Sequence, residues 1–143
     1  MANHQGADAS QPDLANLAKE RGIEYFLISF IDMGGTLRAK MVPAAAIADM
    51  QQDGAGFAGF AAIMDMTPAH PDMFAMPDAN SLIQLPWKPE VGWLAADLWM
   101  DGGPIESAPR VALKRLVQRV HDHGYRPMAG VECEYHLVKQ DAH

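Results

Sequence analysis

Apolar and polar positions along this chain fall into short blocks whose period switches between helix-like and strand-like. Residues Asp13 to Arg21 predict a short helix. Leu14, Leu17 and Ala18 recur at i, i+3 and i+4, Pro12 lies just before them, and Gly22 supplies a stop. Ile23 to Ile31 reads as a strand with Phe26, Ile28 and Phe30 on one face. The interleaved Leu27, Ser29 and Ile31 are also mostly apolar, which predicts burial on both sides. Asp32-Met33-Gly34-Gly35 is a turn signal, and Thr36 to Val42 follows as a second strand carrying Arg38 and Lys40 on one face, so the pair forms a hairpin. Pro43 opens a second short helix to about Gln51, with Ile47 and Met50 inward, and Asp53-Gly54 ends it.

Residues 54–80 show no clear period and are rich in Gly, Ala, Met, Phe and Pro. Long loops of this kind are functional or covered, and this one is too apolar for a solvated linker, so an ordered loop under a cover such as another subunit is expected. Its methionines read as adaptable packing. Strands resume at Ser81 to Leu85 and Val91 to Met100, closed by Asp101-Gly102-Gly103-Pro104. Ser107 is placed to cap a helix with Pro109 in its first turn. That helix is expected to run to about His123, with an inner stripe of Leu113, Leu116, Val117 and Val120 and with Arg110, Lys114, Arg115 and Arg119 outside. After Gly124, residues 130–138 alternate. Val131, Cys133, Tyr135 and Leu137 fall on one face of an expected strand, and Glu132, Glu134 and His136 on the other.

This order predicts an α+β fold. A tail over residues 1–12 reads as disordered, and residues 13–105 read as a β-grasp (ubiquitin-like roll) domain. Composition shifts near Ile105–Ala108, so residues 106–143 read as the first helix and strand of a second, incomplete domain.

Bulk chemistry narrows the function. A net charge of −7 argues against nucleic-acid and anionic-membrane binding, which need a positive footprint. No apolar run reaches membrane-spanning length, and the polar first ten residues do not resemble a signal peptide. A single cysteine forms no internal disulfide, and a cytoplasmic protein is the expectation. Gly54-x-Gly56-x-x-Gly59 has dinucleotide spacing without the helix that should follow, and no serine sits in a nucleophile elbow. Cys133 reads as an inert core thiol, His121 and His123 as a solvated helix end, and His70 as a structural loop residue. The basic helix face from Arg110 to Arg119 reads as solvated or as a phosphate or subunit contact. Glu132 and Glu134 repel each other in a dry place and are at ease in water or with a cation between them, so the pattern leaves a wet strand face and half of a metal site both open.

Four motifs in order resemble one family. Met76-Pro77-Asp78, followed by a strand and Trp87-Lys88-Pro89, resembles the stretch after the long loop of glutamine synthetases. Pro109-Arg110 with Lys114-Arg115 is similar to the start of their first catalytic-domain helix, and Gly130-Val131-Glu132-Cys133-Glu134-Tyr135 resembles their Gly-x-Glu-Pro-Glu-Phe strand. The hairpin around Asp32–Arg38 matches in place, and the resemblance covers about residues 13 to 139.

The resemblance implies a β-grasp domain ahead of a large catalytic domain, and an active site between neighbouring subunits of a homo-oligomeric ring. It implies that ATP phosphorylates glutamate to γ-glutamyl phosphate, from which ammonia displaces phosphate. Two divalent cations, Mg2+ or Mn2+, would assist, with Glu132 and Glu134 as the first acidic ligands. The family's Phe-Asp-Gly-Ser-Ser loop matches Phe57-Ala58-Gly59-Phe60-Ala61 here, with no carboxylate at Ala58. That form resembles the divergent branch that includes γ-glutamylmethylamide synthetases, which implies methylamine as an alternative amine. Cys133 stands at the usual proline and His136 at a usual aromatic. The remaining metal ligands, the ATP site and the glutamate-binding arginine belong to segments that do not match here, so the expectation is an N-terminal portion with no catalytic residue of its own and no activity alone. The competing expectation is a truncated product or non-catalytic β-grasp module that docks on a full-length ring through residues 54–80.

Overall fold

The computed structural model describes residues 11–62 and 66–139. Helix α1 (Leu14–Arg21) is followed by strands β1 (Tyr25–Ile31) and β2 (Leu37–Pro43). A 3-10 turn over Ala44–Ala46 leads into α2 (Ile47–Asp53). Then come β3 (Ala55–Phe57), β4 (Met73–Pro77), β5 (Ile83–Leu85), β6 (Lys88–Met100), β7 (Gly103–Pro104) and α3 (Pro109–Asp122).

The expected first helix and hairpin form as read. Asp13 caps α1 by accepting from the N–H groups of Ala15 at 2.9 Å and Asn16 at 3.1 Å, and Gly22 ends it in the left-handed conformation. Gln11 and Pro12, read as the end of a tail, are hydrogen-bonded to the roll. Gln11 Oε1 accepts from Ala79 N–H at 2.9 Å and the Pro12 carbonyl accepts from Gln51 Nε2 at 2.8 Å, while residues 1–10 lie outside the described part.

β1 and β2 pair antiparallel, and β1 pairs parallel with β6, the hallmark of a roll in which the first hairpin is rejoined by a later strand. The path β2-β1-β6-β4-β3 makes one mixed sheet, with β5 and β7 also on β6. One face holds the core: Phe26, Ile28 and Phe30 from β1, Leu94, Ala96 and Leu98 from β6, and Met73 and Ala75 from β4. Leu14 and Ala18 of α1 and Ile47 of α2 close over it. β1 is less evenly covered than its composition suggests, since Ile31 and Tyr25 on its other face remain exposed.

The region that shows no period contains β3 and β4, which pair antiparallel from Ala55↔Ala75 to Phe57↔Met73. β4 does alternate, with Met73, Ala75 and Pro77 buried, but Phe74 and Met76 between them are apolar too, so the sequence hides it. Asp101 and Gly102 both take positive φ, and that two-residue turn sends β7 back along β6.

Gly54 sets the α2-to-β3 corner. It adopts φ +81°, and a Cβ there would lie 2.6 Å from Met76 Sδ and 2.9 Å from Phe74 Cβ. Both strain and overlap oppose a side chain. Gly54→Ala is expected to lower unfolding free energy by about 2 kcal/mol, read from the urea midpoint at constant slope. An unchanged midpoint would show that the corner relaxes freely.

Candidate functional site

The loop expected to hold the amine begins where β3 ends. Phe57 packs edge-on against Phe30 with ring centroids 4.7 Å apart, and Lys40 Nζ stands 5.4 Å over the Phe57 ring while donating to the Gly56 carbonyl at 2.6 Å. Gly59 is buried, and a Cβ on it would press on Met66 Sδ at 2.8 Å. Ala58 is exposed and Phe60 is half exposed. The loop therefore turns Phe57 and Gly59 inward as anchors and presents Ala58 and Phe60 outward. Met33 N–H donates to the Ala62 carbonyl at 3.1 Å, which ties the loop to the β1–β2 turn. Further along, His70 finds a partner that the sequence does not reveal: Nδ1 accepts from Thr67 N–H at 2.9 Å and closes a local turn.

That β1–β2 turn is organised by Asp32. Oδ1 accepts from Thr36 N–H at 2.8 Å and Gly34 N–H at 3.0 Å, and Oδ2 accepts from Arg38 Nε at 2.8 Å. The Thr36 N–H and then the Arg38 guanidinium hold the Asp32 carboxyl below its ordinary range, against a smaller upward push from burial.

The strongest charge cluster lies at the start of α3. Arg110 is expected on an outer face, yet it turns to the sheet. Its Nη2 donates to Asp78 at 2.6 Å and its Nη1 to Asp97 at 2.5 Å, while Lys114 Nζ donates to the other oxygen of Asp97 at 2.5 Å. Asp97 projects from β6 and Asp78 follows β4, so one guanidinium spans both strands and the helix. Burial pushes Asp78 up, but the Arg110 hydrogen bond and charge outweigh it and hold the carboxyl below its usual range. Burial likewise opposes the Arg110 charge, and the two aspartates reverse that and raise its pKa. Arg115 pairs with Glu106 on the exposed side, a contact of little energetic consequence.

α3 differs from expectation in two further ways. Its N-cap is Ala108, without a side-chain cap, instead of Ser107. Its buried apolar contact is confined to its start, at Ala108 and Val111, so the expected inner stripe is largely uncovered, with Leu113 59% and Leu116 55% exposed. No described strand or helix stands opposite that stripe.

The strand expected over residues 130–138 does not form. These residues have no regular structure and are all exposed. A strand needs a neighbour to complete its ladder, and none of the described strands pairs with this segment. Glu132, Glu134 and His136 therefore stand in water, and Cys133 is exposed, not a core thiol. His121 and His123 end α3 in solvent as expected, with His123 Nδ1 donating to the Arg119 carbonyl at 2.7 Å. No group of three or more His, Cys, Asp or Glu residues is placed to hold a metal among the described residues. Two carboxylates are suitable donors for a hard divalent cation but supply only part of its shell. Among the described residues, no helix is long and apolar enough to cross a membrane.

The described residues thus form a mixed α+β roll with a parallel β1–β6 pair, a loop anchored on the hairpin and a helix clamped to β6 through Asp97. Comparison with known proteins gives the particular kinship. The chain is 60% identical over 129 residues to a glutamine synthetase of Rhizobium leguminosarum bv. phaseoli, covering 90% of this chain and 30% of that one. It is 35% identical over 133 residues to a glutamate–methylamine ligase of Methyloversatilis universalis, covering 92% and 30%. A solved structure described as GmaS without ligand matches with a TM-score of 0.75 and 62% identity over 78% of this chain and 26% of that one. No family model matches the chain. The chain is homologous to the N-terminal region of the glutamine synthetase family, and it spans about 30% of the length of the curated relatives it matches.

Two predictions follow from the charged groups. Arg110→Met leaves Asp78 and Asp97 half-buried without their shared partner, and is expected to lower stability by about 2–3 kcal/mol in urea unfolding, with Arg110→Lys intermediate. A loss below about 0.5 kcal/mol would place the cluster among ordinary surface pairs. The pH dependence has a definite sign. Asp32 and Asp78 have folded pKa values below their unfolded ones, so their stabilisation is whole above about pH 4 and drains as pH falls through the folded values. The urea midpoint should hold between pH 7 and pH 5 as far as these groups are concerned, and its acid decline should flatten in Asp78→Asn. An acid limb as steep in Asp78→Asn as in the parent would contradict this.

Proposed function

We propose that this chain is the N-terminal portion of an ATP-dependent glutamate–amine ligase that makes a γ-glutamyl amide through γ-glutamyl phosphate. The observation that carries the reading is the 60% identity over 90% of the chain to a glutamine synthetase, joined to the 62% identity and shared fold with a GmaS structure. A second structure with the same match is described as a GmaS–ADP complex, which supports a nucleotide as a reactant of the family. In this reading the complete protein works in nitrogen metabolism in the cytoplasm as a ring of identical subunits, with glutamate and ATP as substrates. Glu132 and Glu134 supply carboxylate ligands to Mg2+ or Mn2+ once other segments provide the rest of the shell.

The amine-site loop is Phe57, Ala58, Gly59 and Phe60. Its outward pair, Ala58 and Phe60, carries no charge, and an uncharged apolar tip favours an alkylamine over ammonium more than a carboxylate at Ala58 would. Methylamine is therefore the proposed amine, with ammonia as the competing one. The 35% identity to a glutamate–methylamine ligase supports methylamine, and the more similar glutamine synthetases support ammonia.

The test grafts this chain onto the remaining length of the Rhizobium leguminosarum relative. Residues 1–143 alone should release no phosphate from ATP with glutamate, amine and Mg2+, because two carboxylates do not build the site. The graft should turn over methylamine at least as well as ammonia in kcat/KM, and Ala58→Asp should shift that ratio toward ammonia by about tenfold. Phosphate release by the isolated chain would overturn the partial-site reading. A graft that strongly prefers ammonia, with no change in Ala58→Asp, would overturn the amine assignment.

A further inference from the structure

Strands β2 and β3 are the two ends of the sheet path, and the roll brings them within reach of one side chain. Lys40 stands opposite Ile28 in the β1–β2 ladder, so it lies on the core side of the hairpin, in line with Ile28 and Phe30. Its ammonium crosses to β3, where it donates to the Gly56 carbonyl at 2.6 Å and stands 5.4 Å over the Phe57 ring. The same ring meets Phe30 edge-on, at 88°. One cation therefore holds the backbone and the ring of the last two residues of β3.

The chain beyond that contact is short and constrained. Ala58 is the single residue between Phe57 and buried Gly59. Gly59 packs against Met66, since a Cβ on it would lie 2.8 Å from Met66 Sδ, and it opens a 3-10 turn over Gly59–Ala61 that carries half-exposed Phe60. The Ala62 carbonyl then returns to the hairpin by accepting from Met33 N–H at 3.1 Å. Residues 57–62 are thus fastened to the β1–β2 hairpin at both ends, by Lys40 and Phe30 at the entrance and by Met33 at the exit. One residue of chain gives no slack, so a displacement of Phe57 passes directly to Ala58 and on to Phe60.

We propose that Lys40 is a positioning residue of the amine site, clasping the Gly56 carbonyl and the Phe57 ring so that Ala58 and Phe60 face the amine in one orientation. The proposal rests on the reading of residues 57–60 as the amine-site loop. Both halves of the clasp need the cation. A charged donor to a carbonyl is stronger than a neutral one, and the contact with the ring adds to it. Arginine carries both capacities at this position, whereas methionine keeps the apolar stem and supplies neither. Lys40 acts through Phe57 and takes no part in the chemistry. Its loss lowers the fraction of loops in the productive orientation, and the apparent affinity for the amine falls by that fraction. A saturating amine restores the full rate, and glutamate and ATP are used as before.

The test has two arms. In the 143-residue chain, Lys40→Met should speed amide exchange over residues 58–62 by about tenfold and leave the amides of β1 and β6 unchanged, while Lys40→Arg should speed it by about threefold at most. In the full-length graft, Lys40→Met should raise the KM for the amine by about fivefold, with kcat and the KM values for glutamate and ATP unchanged, and Lys40→Arg should recover most of the loss. Unchanged exchange over residues 58–62 would overturn the clasp. Exchange that rises equally across the sheet, or a loss spread over kcat and the KM for glutamate, would reduce Lys40 to a general stabiliser and overturn the proposal. A loosened loop with an unchanged amine KM, in a graft where Ala58→Asp still shifts the amine ratio, would overturn the role of Lys40 and leave the amine-site reading standing. If Ala58→Asp shifts nothing, the amine-site reading fails and this proposal fails with it.

Discussion

Strand β6 is the constraint on which the fold depends. Its thirteen residues pair with β1, β4, β5 and β7, so among the described strands the ladders of the two halves of the sheet are joined through it. Its inward residues Leu94, Ala96 and Leu98 lie at the centre of the buried cluster. Gly92 shows how tight this seam is, because a Cβ there would come within 3.0 Å of the Phe26 ring and of Leu82. The parallel β1–β6 contact joins segments more than sixty residues apart in sequence, so neither half is expected to persist without the other.

The same strand carries the charge that fixes α3. Asp97 leaves the sheet between buried Ala96 and Leu98, and Arg110 and Lys114 come to it from successive turns of the helix. Ala108 and Val111 add a small apolar patch beside the ion pairs. The clamp holds the first two turns of α3 and leaves its apolar stripe largely open.

Much of the roll was legible in the sequence because its signals are local. Asp13 and Gly22 bound α1, Asp32 to Gly35 turn the hairpin, and alternation along β6 survives interruption by Trp93 and Trp99. β3 and β4 were hidden because nearly every residue in them is apolar, so no period separates their two faces. The clamp was hidden because Asp78, Asp97 and Arg110 are distant in sequence, and an arginine early in a helix reads as solvent-facing until its partners are placed. The stretch over 130–138 shows the reverse failure. Its alternation is strong, but a period of two states only which side chains share a face, and a strand exists only where another backbone receives its hydrogen bonds. The candidate site is divided accordingly. The loop at Phe57–Phe60 is held in place, while Glu132 and Glu134 are present as chemistry without a scaffold.

The central claim is that β6 and the Arg110 clamp bind the roll and the first turns of α3 into one cooperative unit. Native-state hydrogen exchange across a series of urea concentrations tests it directly. Amides of β1, β4 and β6 and those of residues 112–116 should converge on one opening free energy and one urea dependence. Opening of residues 112–116 at a free energy well below that of β6, with little urea dependence, would contradict it.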